Sequence, residues 1–232
     1  MELPRILDVA TSMFTTVSRL GAGVAAKRPA RRPVQRLELY EFEGCPFCRK
    51  VRDALTELDL DAVVYPCPHG GTVHRPKAIA LGGKSMFPYL VDPNTGTRMY
   101  ESDDIVAYLY KTYGGREPGM LVKGPVATAS SMLASAFRPV FGINARPSRQ
   151  PAKLLELWSF EASPFCRIAR ETLSSLELAY RLHNVARGSA QREAFVARSG
   201  RMMVPWLVDP NTGVELFESA EIVAYLEKTY AS

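Results

Sequence analysis

Cys45 and Cys48 enclose Pro46 and Phe47, so two thiols stand three positions apart. A pair so spaced can close a disulfide, or one thiolate can attack a disulfide and the other resolve the mixed disulfide that results. Where a strand runs into a helix, the first cysteine faces free backbone N–H groups and the positive end of the helix dipole, which favour its thiolate. Pro46 suits the first helical position because it has no N–H to leave unpaired. Phe47 is expected to point inward, and Arg49 and Lys50 to add positive potential. Zinc is the competing use of such a pair, but it wants a second ligand pair, and Cys67, His69 and His74 lack that spacing. No metal is expected, with an iron–sulfur cluster the lesser alternative.

Cys67 follows the second strand of the same region, which should run parallel to the first and open on the same sheet edge as Cys45. It is either a resolving or sensing thiol or a loop cysteine held between Pro66 and Pro68. His69 and His74 lie near that edge, where a loop histidine more often faces solvent than takes part in catalysis.

The elements that must position these groups occur twice. Leu37 through Cys48 matches Leu155 through Cys166 at an offset of 118, and Pro88 through Gly96 matches Pro205 through Gly213 at 117. Glu101-Ser102 through Tyr113 pairs with Glu218-Ser219 through Tyr230 at the same offset, so one residue has been lost in between. A repeat of this length is half the chain. Each unit reads as an amphipathic helix, a Pro/Arg-rich connector, and an α/β module of order β-α-β-α-β-β-α. The boundaries that follow are 1–35 for the first helix and basic connector, 36–114 for the first module, 115–153 for the second helix and connector, and 154–232 for the second module.

The 232 residues, 47% of them hydrophobic, are enough for one or two cores and exclude a disordered chain. No apolar run approaches the roughly 20 residues of a membrane span. The N-terminal stretch carries Leu3, Ile6, Leu7, Ala10, Met13, Phe14, Val17 and Leu20 at helical spacing, but Glu2 and Asp8 interrupt it and no basic segment precedes it. It reads as a structural helix rather than a targeting segment, with surface association with a membrane the less favoured reading. Much of the net charge of +5 sits between Lys27 and Arg36, a solvated connector without interleaved aromatics, so nucleic-acid binding is not expected. Four cysteines are too few for a disulfide scaffold and suit a reducing, cytoplasmic compartment.

Cys45-Pro-Phe-Cys48, the Phe87-Pro88 step and the Glu101-Ser102 pair together resemble a glutaredoxin-type thioredoxin fold. More narrowly they resemble the N-terminal domain of glutathione transferases, including the Cys-Pro-Phe-Cys-bearing domain of the prostaglandin E synthase type 2 family. The resemblance covers roughly 37–113 and 155–230. It implies that Pro88 and Pro205 are cis and that the backbones of Phe87 and Val204 pair with the cysteinyl part of glutathione. It also implies that Glu101-Ser102 and Glu218-Ser219 hold the γ-glutamyl end, as a helix-opening serine with free N–H groups can. Arg187 and Lys77 are the candidates for the glycyl carboxylate.

Two departures from that family bear on function. Only about 40 residues separate Tyr113 from the second module, too few for an all-helical domain of more than a hundred residues, so the acceptor pocket of a transferase is expected to be missing; the single helix of each repeat could pack across the modules instead. Ser163 stands where the first module has Cys45. It either hydrogen-bonds a glutathione thiolate, as the serine of some transferase classes does, or only caps its helix. Cys166, alone in that position, reads as a small buried side chain. The expected function is thiol–disulfide exchange on protein or small-molecule disulfides, with glutathione as co-substrate and Cys45 and Cys48 as the dithiol. The second module is then a degenerate glutathione-binding or structural repeat. A glutathione-dependent transferase or isomerase and a non-enzymatic glutathione-binding or redox-sensing scaffold are the alternatives.

Overall fold

The computed structural model describes residues 4–232. In the first module, strand β1 (Leu37–Glu41) leads into helix α2 (Pro46–Glu57), and β2 (Ala62–Pro66) into α3 (Arg75–Gly82). The hairpin β3 (Tyr89–Asp92) and β4 (Thr97–Met99) is followed by α4 (Ser102–Leu109) and a π-helical turn over Tyr110–Gly114. The second module repeats the order as β5 (Leu155–Ser159), α6 (Pro164–Ser175), β6 (Tyr180–Asn184), α7 (Arg192–Ser199), β7 (Trp206–Asp209), β8 (Val214–Phe217) and α8 (Ser219–Tyr230). Ahead of each lies one more helix, α1 (Arg5–Ser18) and α5 (Pro125–Ala136). The α/β order expected from the sequence is the order found.

Within each module two parallel strands are flanked by an antiparallel hairpin. That arrangement leaves β2 and β6 as open edges, and a strand edge with unpaired N–H and C=O groups seeks a partner. They pair with each other, antiparallel, with Val63 opposite Arg181, and so fuse both modules into one eight-stranded sheet of order β4-β3-β1-β2-β6-β5-β7-β8. Leu39, Leu55 and Ile105 are among the residues of one core beneath α2 and α4, and Leu157, Leu173 and Ile222 of its counterpart beneath α6 and α8.

The helix preceding each module docks on the other one. On α1, Ser12 Oγ donates to the Pro164 carbonyl at 2.8 Å and Thr16 Oγ1 to that of Ala162 at 2.7 Å, whereas Ser131 Oγ on α5 donates to Pro46 at 2.6 Å. The segments behind the helices cross over as well. Ala26 N–H donates to Arg187 O, and His69 N–H to Ile143 O, both at 2.7 Å. Gly44 lies so close to this second segment that a Cβ there would stand 2.2 Å from Ile143 Cγ1.

A group of charges with almost no solvent exposure lies between the modules. Arg170 reaches Glu43 at 2.9 Å and Glu161 at 2.8 Å, and Arg52 reaches Glu161 at 2.9 Å and Glu43 at 3.3 Å. Arg52 also pairs with Glu41 of its own module. These are repeat-equivalent residues, so two arginines share two glutamates about a pseudo-twofold axis. Burial pushes the Glu161 carboxyl up, but Arg170, Arg52 and Arg167 more than offset it and hold it at about 2. At Glu41 burial prevails over Arg52 and pushes the carboxyl up to about 7.

Removing one partner of such a pair leaves its counterpart charge buried, so Glu161→Gln should lower unfolding stability at neutral pH by roughly 3–5 kcal/mol. Urea unfolding followed by tryptophan fluorescence measures this. A carboxyl depressed in the folded state stabilises above its unfolded pKa of 4.5 and loses that stabilisation as pH falls toward 2. The gap between wild type and variant should therefore narrow over that interval.

Candidate functional site

Cys45 is the N-cap of α2, with extended backbone (φ −72°, ψ 121°), and its Sγ accepts a hydrogen bond from the Cys48 N–H at 3.2 Å. Pro46 occupies the first turn as expected. Cys45 is 4% exposed, while Cys48, one turn further along α2, is fully buried. Burial pushes the Cys45 thiol up, but hydrogen bonds from the Cys48 side chain and from the N–H groups of Cys48 and Phe47 outweigh it, and the net shift is downward. Cys48 shifts well upward, first from burial and then from donating to Cys45. The two thiols differ in role: one is held toward the thiolate and the other protonated.

Positive potential from Arg49 and Lys50 is not among the leading causes. Arg49 is buried, 3.6 Å from Glu161, with its guanidinium donating to Ser131 O; Lys50 is buried against Asp103 at 2.6 Å. Both cations serve the interface and the helix packing. Phe47 does not point inward either. It is 41% exposed, because the turn of α2 that buries Cys48 and Val51 presents position 47 to the opposite side.

A cavity of about 420 Å³ opens on Cys45, and Phe87, Pro88, Glu101 and Ser102 line it. The Phe87-Pro88 peptide is cis. Glu101 has φ 65°, the left-handed region, as it turns the chain into α4. A non-glycine residue held there costs about 1–3 kcal/mol and persists because its surroundings fix it. Ser102, which follows Glu101 and opens α4, lines the cavity at the helix end whose first N–H groups have no intrahelical partner. Phe42, Phe47, Met86 and Phe87 give apolar walls, while His69 and Arg75 supply polar groups.

Arg75 was not singled out from the sequence. Its guanidinium sits 4.7 Å from the centre of the Phe87 ring, donates to the Pro68 and Cys67 carbonyls, and reaches Ser85 Oγ at 2.6 Å. The only available hint is its position at the start of α3. Lys77 turns elsewhere, with its ammonium over the Tyr65 ring at 4.9 Å. His69 is exposed, edge-on to Phe42. His74 is engaged with the Glu177 carbonyl at 2.9 Å, and its pKa is lowered mainly by burial. Cys67 is fully buried, and burial first and then Glu41 push its thiol far up, which suits a packed side chain rather than a reactive one.

The second module reproduces the scaffold. Ser163 caps α6 with φ −70° and ψ 120°, its Oγ accepts the Cys166 N–H at 3.2 Å, Val204-Pro205 is cis, and Glu218 has φ 64°. Cys166 is fully buried. Ser219, the counterpart of Ser102, is buried and receives a hydrogen bond from Arg5 of α1 at 3.4 Å. Met202 takes the place of Ser85, and Arg192, the counterpart of Arg75, donates to the Val185 carbonyl at 3.2 Å. The backbone of Arg187 is paired with the segment after α1. Among the described residues no group of three or more His, Cys, Asp and Glu is placed to hold a metal ion, and no helix is long and apolar enough to cross a membrane.

The family described as "Glutathione S-transferase, N-terminal domain" matches residues 39–117 and again residues 157–232. No curated protein matches the chain. Among solved structures, Bombyx mori glutathione transferase BmGSTD1 is 28% identical over 37% of this chain and 39% of its own, with a TM-score of 0.31. The match thus spans about two fifths of that protein's length.

The alkylation rate of Cys45 against pH should have its midpoint below the ordinary cysteine value of about 8.5. Cys48→Ala, which removes the side-chain donor, should move that midpoint upward, whereas Lys50→Met should leave it in place.

Proposed function

Because the chain belongs to the glutathione S-transferase N-terminal domain family, we propose that it is a glutathione-linked thiol–disulfide oxidoreductase acting through Cys45. The observation that carries this reading is the capped, downward-shifted Cys45 sulfur opening on one cavity with the Phe87-Pro88 step and Ser102. Glutathione lies along that cavity with its γ-glutamyl carboxylate at the start of α4 and its cysteinyl part beside the Phe87 backbone. Arg75, rather than Lys77 or Arg187, faces its glycyl carboxylate.

In a glutathionylated substrate the Cys45 thiolate attacks the sulfur of the glutathionyl group. A Cys45–glutathione disulfide forms, the substrate–glutathione bond breaks, and the substrate sulfur leaves as a thiolate that takes a proton from solvent. A second glutathione thiolate then attacks the bound glutathionyl sulfur, giving oxidised glutathione and returning Cys45 as thiolate. Cys48 lies within hydrogen-bond reach of Cys45 Sγ but is a poor resolving group, because burial holds its thiol protonated. The monothiol route is therefore the main one, and a Cys45–Cys48 disulfide is a side path. The second module has no sulfur at position 163 and acts as scaffold.

The apolar walls of the cavity favour a second reading, glutathione transfer to an apolar electrophile. Turnover of 1-chloro-2,4-dinitrobenzene exceeding disulfide reduction would select it.

Glutathione-dependent reduction of hydroxyethyl disulfide should be lost in Cys45→Ser and kept within a few-fold in Cys48→Ser and in Ser163→Ala. Reduction that survives in Cys45→Ser would sink the proposal.

A further inference from the structure

Helices α1 and α5 are amphipathic with the usual sense reversed. Their small and hydroxylated residues face the protein: Ser12, Thr15, Ala127, Ser131 and Ala134 are all fully buried. Their large apolar residues face outward, with Ile6 83%, Val17 70%, Leu20 67%, Phe14 59%, Leu133 54% and Met132 53% exposed. The helices lie side by side, Thr15 Oγ1 donating to the Ala134 carbonyl and the Phe14 and Phe137 rings stacked at 5.9 Å, so the two outward faces form one surface.

No exposed residue from Ile6 to Ala26, or from Pro125 to Ile143, is charged. The ionisable residues of those stretches are Asp8, Arg19 and Arg138. Arg19 is committed to Asp53 at 2.7 Å, and Arg138 to Asp8 at 2.7 Å and Glu171 at 2.5 Å. Monomeric proteins rarely leave apolar patches larger than a few hundred Å² in water.

We infer that this two-helix face is the interface of a homodimer. From those exposures the patch amounts to roughly 1,000 Å², where a standard interface takes about 800 Å² from each partner. Ile6 and Met13 stand seven residues apart on α1, as do Val126 and Leu133 on α5, and Leu20 and Val140 extend the apolar surface into the turns that follow. Two copies related by a twofold axis would close these two exposed faces as a four-helix layer. A bilayer surface fits less well. Helices that lie in a membrane interface carry lysine and arginine on their polar face, whereas here that face is buried in protein, Arg19 and Arg138 beside it are neutralised, and Arg5 at the start of α1 is the one exposed cation of the two helices. The inference goes beyond the redox reading and does not depend on it.

Sedimentation velocity of the 232-residue chain across the micromolar range tests it. The expected result is a species of twice the chain mass. Phe14→Lys with Leu133→Lys, and separately Val17→Lys, should weaken self-association about tenfold or more. Far-ultraviolet circular dichroism should stay unchanged in both, since the substituted side chains already face solvent. A monomeric wild type would overturn the inference, and so would a dimer that both variants leave intact. A monomer that cosediments with phosphatidylcholine–phosphatidylglycerol vesicles would assign the face to a lipid surface instead.

Discussion

Two arginines and two glutamates, shared crosswise between the halves, constrain everything else in this molecule. Glu43 and Glu161 each form ion pairs with both Arg52 and Arg170, and the four residues are 1–3% exposed. Charges so far from water are tolerable only when every partner is present, and half the partners belong to the other module. The same surface holds the β2–β6 pairing, whose separation would expose two strand edges along with the charges. Separating the modules would expose both strand edges and leave each of these arginines and glutamates without one of its partners.

The exchange of helices follows from that centre. With β2 and β6 side by side, the chain leaving α1 passes the loop after β6, and the chain leaving α5 passes the loop after β2, where each forms a short bridge. Arg19 and Arg138 then tie α1 and α5 to the helix pairs beneath them through Asp53 and Glu171. Ile143 comes to rest against Gly44, the residue immediately before the reactive sulfur. A segment written into the second repeat thereby braces the approach to Cys45 in the first.

Much of this was legible in the sequence, for reasons that are local. The order of strands and helices follows from apolar periodicity and from glycine and proline punctuation. The cap at Cys45 follows from Cys-Pro at a strand-to-helix junction, and the cis prolines from the family resemblance. What was illegible depends on residues distant in the chain. Arg49 and Lys50 read as surface cations beside the thiol, because nothing nearby reveals Glu161, 112 positions beyond Arg49, or the fold that delivers Asp103 to Lys50. Phe47 read as core because apolar type was taken for burial, although the helical phase of Cys48 and Val51 excludes it from that side. Arg75 meets Phe87 only once α3 has folded over the loop before β3. The interior-facing serines and threonines of α1 defeat the ordinary assumption that the greasy side of a helix is the inner one.

The pairing of β2 with β6 also limits how such a protein could have grown. Each module possesses one long free edge, and joining two copies consumes both. The outer strands that remain, β4 and β8, are three and four residues long and close the two ends of the sheet. Within the pair, a hydroxyl at position 163 makes the same helix cap that a thiol makes at position 45, at the same 3.2 Å. The architecture could shed a sulfur from one half without mechanical penalty, so that copying the fold and copying the chemistry became separable events.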